Sequence, residues 1–277
     1  LINSGSLTIL IKNITFLPGR DNINKRQYNI RRIQLNFNYH ESIANNPEKT
    51  IKEIKEQNCI LNDVIKPFPD IKTIEKFAHY HYWANSYSVN VFEVVGTAHP
   101  DYIGLSWIDM LKEGKRMRLN LSLLASNPDY YYEQEKKEPV MNYTKINNEI
   151  YISQEGNHRT AIAKVLFYHT GHYMIHGIDY NEYGVDFNMI KLFEDVKDLL
   201  LKKLPHTDIE VIRTALKRDD TAGWMKDYYK ISFIITNYKK QKSIEVSPEE
   251  LYQIRFKISE VNLFKRLIEK SKIRKIL

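Results

Sequence analysis

Glu149-Ile150-Tyr151-Ile152-Ser153-Gln154-Glu155-Gly156-Asn157-His158-Arg159-Thr160-Ala161-Ile162-Ala163-Lys164 reads as a strand, a tight turn and a helix with almost no residues to spare. Gly156 permits close backbone approach or a positive φ, and Asn157 tolerates the same region or caps the helix. The helix is expected to run from Thr160 to His169 and to end at Gly171 in a left-handed cap. The first amides of such a helix have no intrahelical partners and lie at the positive end of its dipole. His158 and Arg159 add donors to that end. Amides, an imidazole and a guanidinium converging there form an anion pocket suited to phosphate, with Gly156, Asn157, His158, Arg159 and Thr160 as candidate ligands. On chemistry alone the segment also reads as a plain strand–turn–helix, with Asn157 as cap and Arg159 in a surface ion pair.

Working upstream, Met117 to Leu124 alternates apolar and polar residues and predicts a strand, while Asp101 to Lys112 suggests a short helix. Asn90 to Val95 predicts a strand closed by Gly96. Ile71 to Ala84 reads as helix, with Ile71, Ile74, Phe77 and Ala78 at helical spacing. Asn46-Pro47-Glu48 opens another helix through about Asn58, with an Asn cap and Pro in the first turn. Leu7 to Ile11 and Arg31 to Phe37 read as strands. Downstream, Phe187 to Leu204 is an amphipathic helix stopped by Pro205, and Asp208 to Lys217 is expected to continue helically. Tyr229 to Thr236 and Lys242 to Val246 flank a polar turn and predict a hairpin. Ser247-Pro248-Glu249-Glu250 then carries the signature of a helix start.

Of the 277 residues, 43% are hydrophobic and 27% charged, which excludes wholesale disorder. The single cysteine, Cys59, excludes an intramolecular disulfide and any zinc site built on several thiolates of this chain. The longest apolar runs, such as Phe233-Ile234-Ile235, are too short to span a bilayer, and no basic-then-apolar leader opens the sequence. A soluble, cytoplasmic protein with no membrane partner is expected.

Charge is unevenly placed. Residues 1–186 carry 21 basic and 21 acidic groups, whereas residues 187–277 carry 20 and 13, so the whole net charge of +7 lies there. The last 27 residues hold 8 basic and 2 acidic groups, among them Lys265, Arg266, Lys270, Lys272, Arg274 and Lys275. A polyanionic partner, DNA or RNA, accounts for such asymmetry, and so does a solvated amphipathic helix.

Other clusters carry less chemistry. His169, His172 and His176 follow the box helix, but Gly171 interrupts any chelating pair and packed or solvent-facing rings are expected. His79 and His81 alternate with Tyr80, Tyr82 and Trp83 in an aromatic, partly buried face, a composition that base stacking would also use. Tyr130-Tyr131-Tyr132 reads equally as core or as a base-stacking platform. Glu138 and Glu155 are the carboxylates expected to lie near the phosphate pocket, and a metal bridging them to phosphates would be magnesium.

The run Glu155-Gly156-Asn157-His158-Arg159, after a strand and before an Ala-rich helix, resembles the box of the ParB/sulfiredoxin superfamily. The order of elements also fits: Leu119 to Leu124 as a strand, Asn127-Pro128-Asp129-Tyr130-Tyr131, a short strand at Glu138-Pro139-Val140, then Ile150 to Ser153. The likeness covers about residues 117–180. It implies an α/β (α+β) fold with a ParB/sulfiredoxin-like core and a small mixed sheet, at residues 91–186. Residues 1–90 would be an N-terminal extension packed on that core, and residues 187–277 a basic, mainly helical region with a hairpin. It further implies a nucleoside triphosphate, with or without Mg2+, bound at the box by a hydrolase such as a nuclease, or by a nucleotide-switched DNA-binding factor. Glu155, Glu138 and His158 would then be the catalytic candidates. Sulfiredoxins carry their catalytic Cys where this chain has Asn157, which excludes that activity. A small-molecule kinase or phosphotransferase on the same core, and a non-enzymatic interaction or inhibitor module, remain open alternatives.

Overall fold

Short helices lead into the sheet. The computed structural model describes residues 38–57 and 59–259; the strands expected at 7–11 and 31–37, and the six basic residues from Lys265 to Lys275, lie outside them. Helix α1 (Tyr39–Asn45) precedes α2 (Pro47–Lys55), where Pro47 occupies the first turn as expected. The Asp70 side chain accepts from the Lys72 amide to start α3 (Ile71–Phe77). Later helices are α4 (Met110–Glu113), α5 (Met117–Ser126), α6 (Asn157–Thr170), α7 (Phe187–Lys203) and α8 (Pro248–Ser259). The strands are β1 (Lys66–Pro67), β2 (Ala78–Asn90), β3 (Val94–Thr97), β4 (Asn142–Ile146), β5 (Glu149–Ile152), β6 (Met174–Val185), β7 (Thr207–Thr221), β8 (Trp224–Asn237) and β9 (Lys242–Val246).

These strands form one mixed sheet in the order β1-β3-β5-β4-β6-β2-β8-β7. The pairs β1–β3, β3–β5 and β4–β6 are parallel and the others antiparallel. Strand β8 is long enough for β2 to pair with its first half and β9 with its second. An α/β fold is therefore present, but its sheet has nine strands among the described residues and is not small. It also runs through the expected boundaries at residues 90 and 186, since β2 lies between β6 and β8. All the described residues fall in one compact unit. In the region after residue 186 the described chain is chiefly a strand hairpin flanked by α7 and α8, not mainly helix.

Several local expectations are corrected. Residues 117–124 are helix: Met117, Leu121 and Leu124 are buried at helical spacing, while Leu119 and Leu123 face solvent. The helix expected over Ile71–Ala84 stops at Phe77, because the alternating aromatics beyond it pair with β6 and β8. Asp208–Lys217 is part of β7, paired along its length with β8, with Ile209 buried and Glu210 exposed. Glu138-Pro139-Val140 is loop, with a cis bond before Pro139. Of 90–95, Asn90 ends β2 and pairs with Met174, Val91–Glu93 form a 3-10 turn and β3 begins at Val94; of 101–112 only the residues from Met110 on, in α4, are α-helical, after a 3-10 turn at Pro100–Tyr102. Strand β4 and most of β6 carried no sequence expectation.

Hydrophobic cores lie on both sides of the sheet. One gathers Tyr143, Ile150, Ile152, Ile178 and Tyr180 under α1, α2, α5 and α6. The other gathers Ile146, Tyr183, Ile209, Ile231 and Phe233 under α3, α7 and α8. Helix α6 is buried at every residue from Thr160 to Phe167, and its small Ala161 and Ala163 let it approach closely.

Candidate functional site

Strands β3 and β5 run parallel, and α6 starts just past the carboxyl end of β5, a position where α/β sheets commonly bind ligands. The turn depends on Gly156, whose φ is +122°; a Cβ there would come within 3.1 Å of the Met141 side chain. Asn157 is buried. Its Oδ1 accepts from the Thr97 hydroxyl at 2.5 Å and its Nδ2 donates to the Gln154 carbonyl at 3.4 Å. Its side chain thus ties the turn to the end of β3 and contributes only its amide to the helix start. Thr160 is withdrawn from the expected ligand set. It is fully buried, its hydroxyl bonded to the Gly156 carbonyl (2.7 Å) and to the Tyr143 hydroxyl (2.6 Å), and its amide closes the first helical turn onto Gly156. The amides of Asn157, His158 and Arg159 precede that first bond and head the helix.

His158 and Arg159 are both partly buried. The Nε2 of His158 lies 3.1 Å from the Tyr102 hydroxyl, and the Tyr102 ring stacks on His99 with centroids 4.3 Å apart. Burial holds the His158 pKa below its ordinary value, and the charges of His99 and Arg116 press it the same way; a hydrogen bond with the Lys115 backbone and the Glu155 charge oppose them. Arg159 donates from Nη1 to the Tyr130 hydroxyl at 2.9 Å. It has no carboxylate partner among the described residues. Tyr130 is held in turn by Lys137, whose Nζ donates to its carbonyl at 2.6 Å and sits 4.2 Å from its ring centroid.

Glu155 is exposed beside the box, with its amide 3.4 Å from the Asn142 Oδ1 and its carbonyl accepting from the Asn142 amide at 3.0 Å. Glu138 is exposed in the loop leading to Met141 and Asn142. Neither carboxylate is hydrogen-bonded or ion-paired to another described residue, and no group of three metal-ligating side chains occurs among the described residues. Of the histidines after the box, His169 stacks on Tyr39, His172 is exposed with its ring beside Tyr132 and Phe167, and His176 bonds Ser88. Tyr131 belongs to the core, whereas Tyr130 serves the site.

Sequence reasoning missed Arg116, His99, Tyr102 and Thr97. Arg116 arrives from a left-handed turn (φ +62°) before α5, and the others from the end of β3 and the turn after it. Nothing local marks them, because they meet the box only through the packing of the sheet and of α5 around it. With two expected strands replaced by helix and loop, the likeness to the superfamily rests on strand β5, the box and α6. No family model, curated protein or solved structure matches the chain. No helix among the described residues is long and apolar enough to cross a membrane.

Proposed function

We propose that the chain binds a nucleoside triphosphate at the start of α6 and uses it to act on nucleic acid, as a nuclease or a nucleotide-switched binding factor. The observation that carries this reading is Arg159: a partly buried guanidinium beside a helix N-terminus, held by a tyrosine hydroxyl and neutralised by no described carboxylate. Buried charge without a partner is costly, so such a site favours an anionic ligand. Phosphate oxygens would take the amides of Asn157, His158 and Arg159 and the Arg159 side chain, with Arg116 adding positive potential. Magnesium, if the phosphates bring it, would be held mainly by their oxygens and water, with Glu155 as the adjacent carboxylate. The basic residues from Lys265 to Lys275 are the nucleic-acid contacts proposed from sequence; four or five phosphates bound there would give a log K against log salt slope near −4.

Calorimetric titration with ATP, CTP and GTP, with and without magnesium, tests the first step. At least one triphosphate is expected to bind, and Arg159→Ala to weaken it tenfold or more. Binding of none, or full binding by the variant, overturns the assignment. Binding without any nucleic-acid interaction transfers the site to a small-molecule phosphotransferase.

A further inference from the structure

Beyond Tyr180 the sheet face that carries α6 continues across β2, β8 and β7, and there it is lined with rings and amines. Along β8 the side chains on this face alternate Trp224, Lys226, Tyr228, Lys230. Pairing sets Tyr82 beside Lys226, Tyr80 beside Tyr228, and Lys217 of β7 on the far side of Tyr228. The rings are continuous. Trp224 lies 5.6 Å from Tyr82, Tyr82 lies 6.2 Å from Tyr180, and Tyr180 stacks on Tyr87 at 4.3 Å. Lys226 Nζ sits 4.0 Å from the Tyr80 ring centroid and Lys217 Nζ 4.3 Å from that of Tyr228. Gly184 leaves room for the Tyr80 ring to lie across β6, since a Cβ there would come within 2.0 Å of it. The face reaches solvent, with Tyr87 38% and Trp224 36% exposed.

Its charge is unbalanced toward cations. Glu182 accepts from the Tyr80 and Tyr180 hydroxyls at 2.7 and 3.0 Å and lies 4.0 Å from Lys145. Asp219 is 3.4 Å from Lys217. Lys226 and Lys230 have no carboxylate partner among the described residues. Ring faces interleaved with unpaired ammonium groups complement unstacked bases joined by phosphates, and every base has a π-face to offer. In a duplex those faces are hidden.

We propose that this face binds single-stranded nucleic acid, with bases stacking on Tyr82, Trp224 and Tyr228 and phosphates held by Lys226 and Lys230. The proposal rests on the nucleic-acid half of the reading above but shares no residue with the α6 site. Fluorescence anisotropy with labelled single-stranded DNA, single-stranded RNA and duplex DNA of one sequence tests it. A single strand of either sugar type is expected to bind at least tenfold more tightly than duplex. Trp224→Ala and Tyr228→Ala should each weaken single-strand binding roughly tenfold, Tyr228→Phe should retain it, and Lys226→Gln should reduce the salt slope by about 0.7. Equal affinity for duplex, or unchanged binding by alanine variants with wild-type melting temperatures, overturns the proposal. Photocrosslinking of the unaltered protein to a bromouracil oligonucleotide provides a check independent of folding. Crosslinks to β2 or β8 are expected, and crosslinks confined elsewhere overturn the proposal. Arg159→Ala separates the two sites. It should lose triphosphate but keep the single strand, so triphosphate binding that survives in a protein without single-strand preference defeats this proposal alone.

Discussion

Lys164 is the least conventional residue of the fold. It is fully buried on α6, its Nζ has no hydrogen-bond partner among the described residues, and it faces the Trp107 ring at 4.5 Å. Burial lowers its pKa from 10.5 to about 7, with the Asp63 charge opposing. Between those values the unfolded chain holds a proton that the native state has released, so stability rises as pH rises from about 7 to 10.5. Lys164→Met keeps much of the volume without the amine. It is expected to be more stable than wild type at pH 7 and to show a flatter rise through pH 9, as urea denaturation at stepped pH would measure. Gly156 obeys the opposite logic, since its strain is one that only glycine escapes. A methyl group at φ +122° and 3.1 Å from Met141 should cost about 1–3 kcal/mol. Gly156→Ala is therefore expected to lower the denaturation midpoint and to weaken anion binding by shifting the head of α6. Both residues lie in the segment that sequence singles out, yet only Gly156 is legible there. The burial of Lys164 depends on Trp107 and Phe92, which are distant in sequence.

At the scale of elements, local signals succeed where the chain itself closes the hydrogen bonds. Ser247 and Glu250 exchange backbone and side-chain bonds at 3.0 and 3.2 Å to head α8, and the Asp186 side chain accepts from Asn188 at 2.9 Å to head α7. They fail where pairing partners decide. Residues 208–217 have enough apolar periodicity to suggest helix, but β8 offers them a full ladder and the core below accepts Ile209. That ladder is anchored by Phe233, which is fully buried against Phe77 and Phe193 with ring centroids 6.4 and 5.9 Å away. Phe233→Ala leaves a cavity where β8 meets α3 and α7. It should cost about 3–5 kcal/mol in reversible denaturation, far more than truncating the exposed Leu216 of β7.

Across the whole molecule, partly buried histidines are expected to set the acid limit. Burial is the leading cause that lowers the pKa of His81, His158 and His169 below the ordinary 6.5. His81 is stacked on Tyr183 at 4.3 Å and His169 on Tyr39 at 5.0 Å, so these rings tie β2 to β6 and α6 to α1. Unfolded, each takes up a proton near pH 6.5, while folded each resists until lower pH. Their contribution is complete above 6.5 and is lost as pH falls through that value toward the depressed native ones. In a Lys164→Met background, which removes the slope that Lys164 imposes above pH 7, the melting temperature is expected to hold between pH 8 and 7 at constant ionic strength and to drop between pH 6.5 and 5. His169→Phe, which keeps a ring against Tyr39, should make that drop shallower.

Whereas the caps expected at Asn46 and Asn157 are not formed by their side chains, the sequence by itself determined the strand–turn–helix at 149–170 with its Gly171 end, the Ser247 start of α8, the β8–β9 hairpin and the mixed α/β character. Each of these is written in neighbouring residues: a glycine at a turn, a Ser-Pro-Glu-Glu start, an alternating apolar run. Tertiary structure alone decided that one sheet joins all three expected regions. It also decided that residues 117–126 are helix and 207–221 strand, and that Asn157 and Thr160 turn inward while Arg116 and Tyr130 come to the head of α6. Those outcomes depend on which side chains share a core and which strands find open edges, and such partners lie tens of residues apart along the chain.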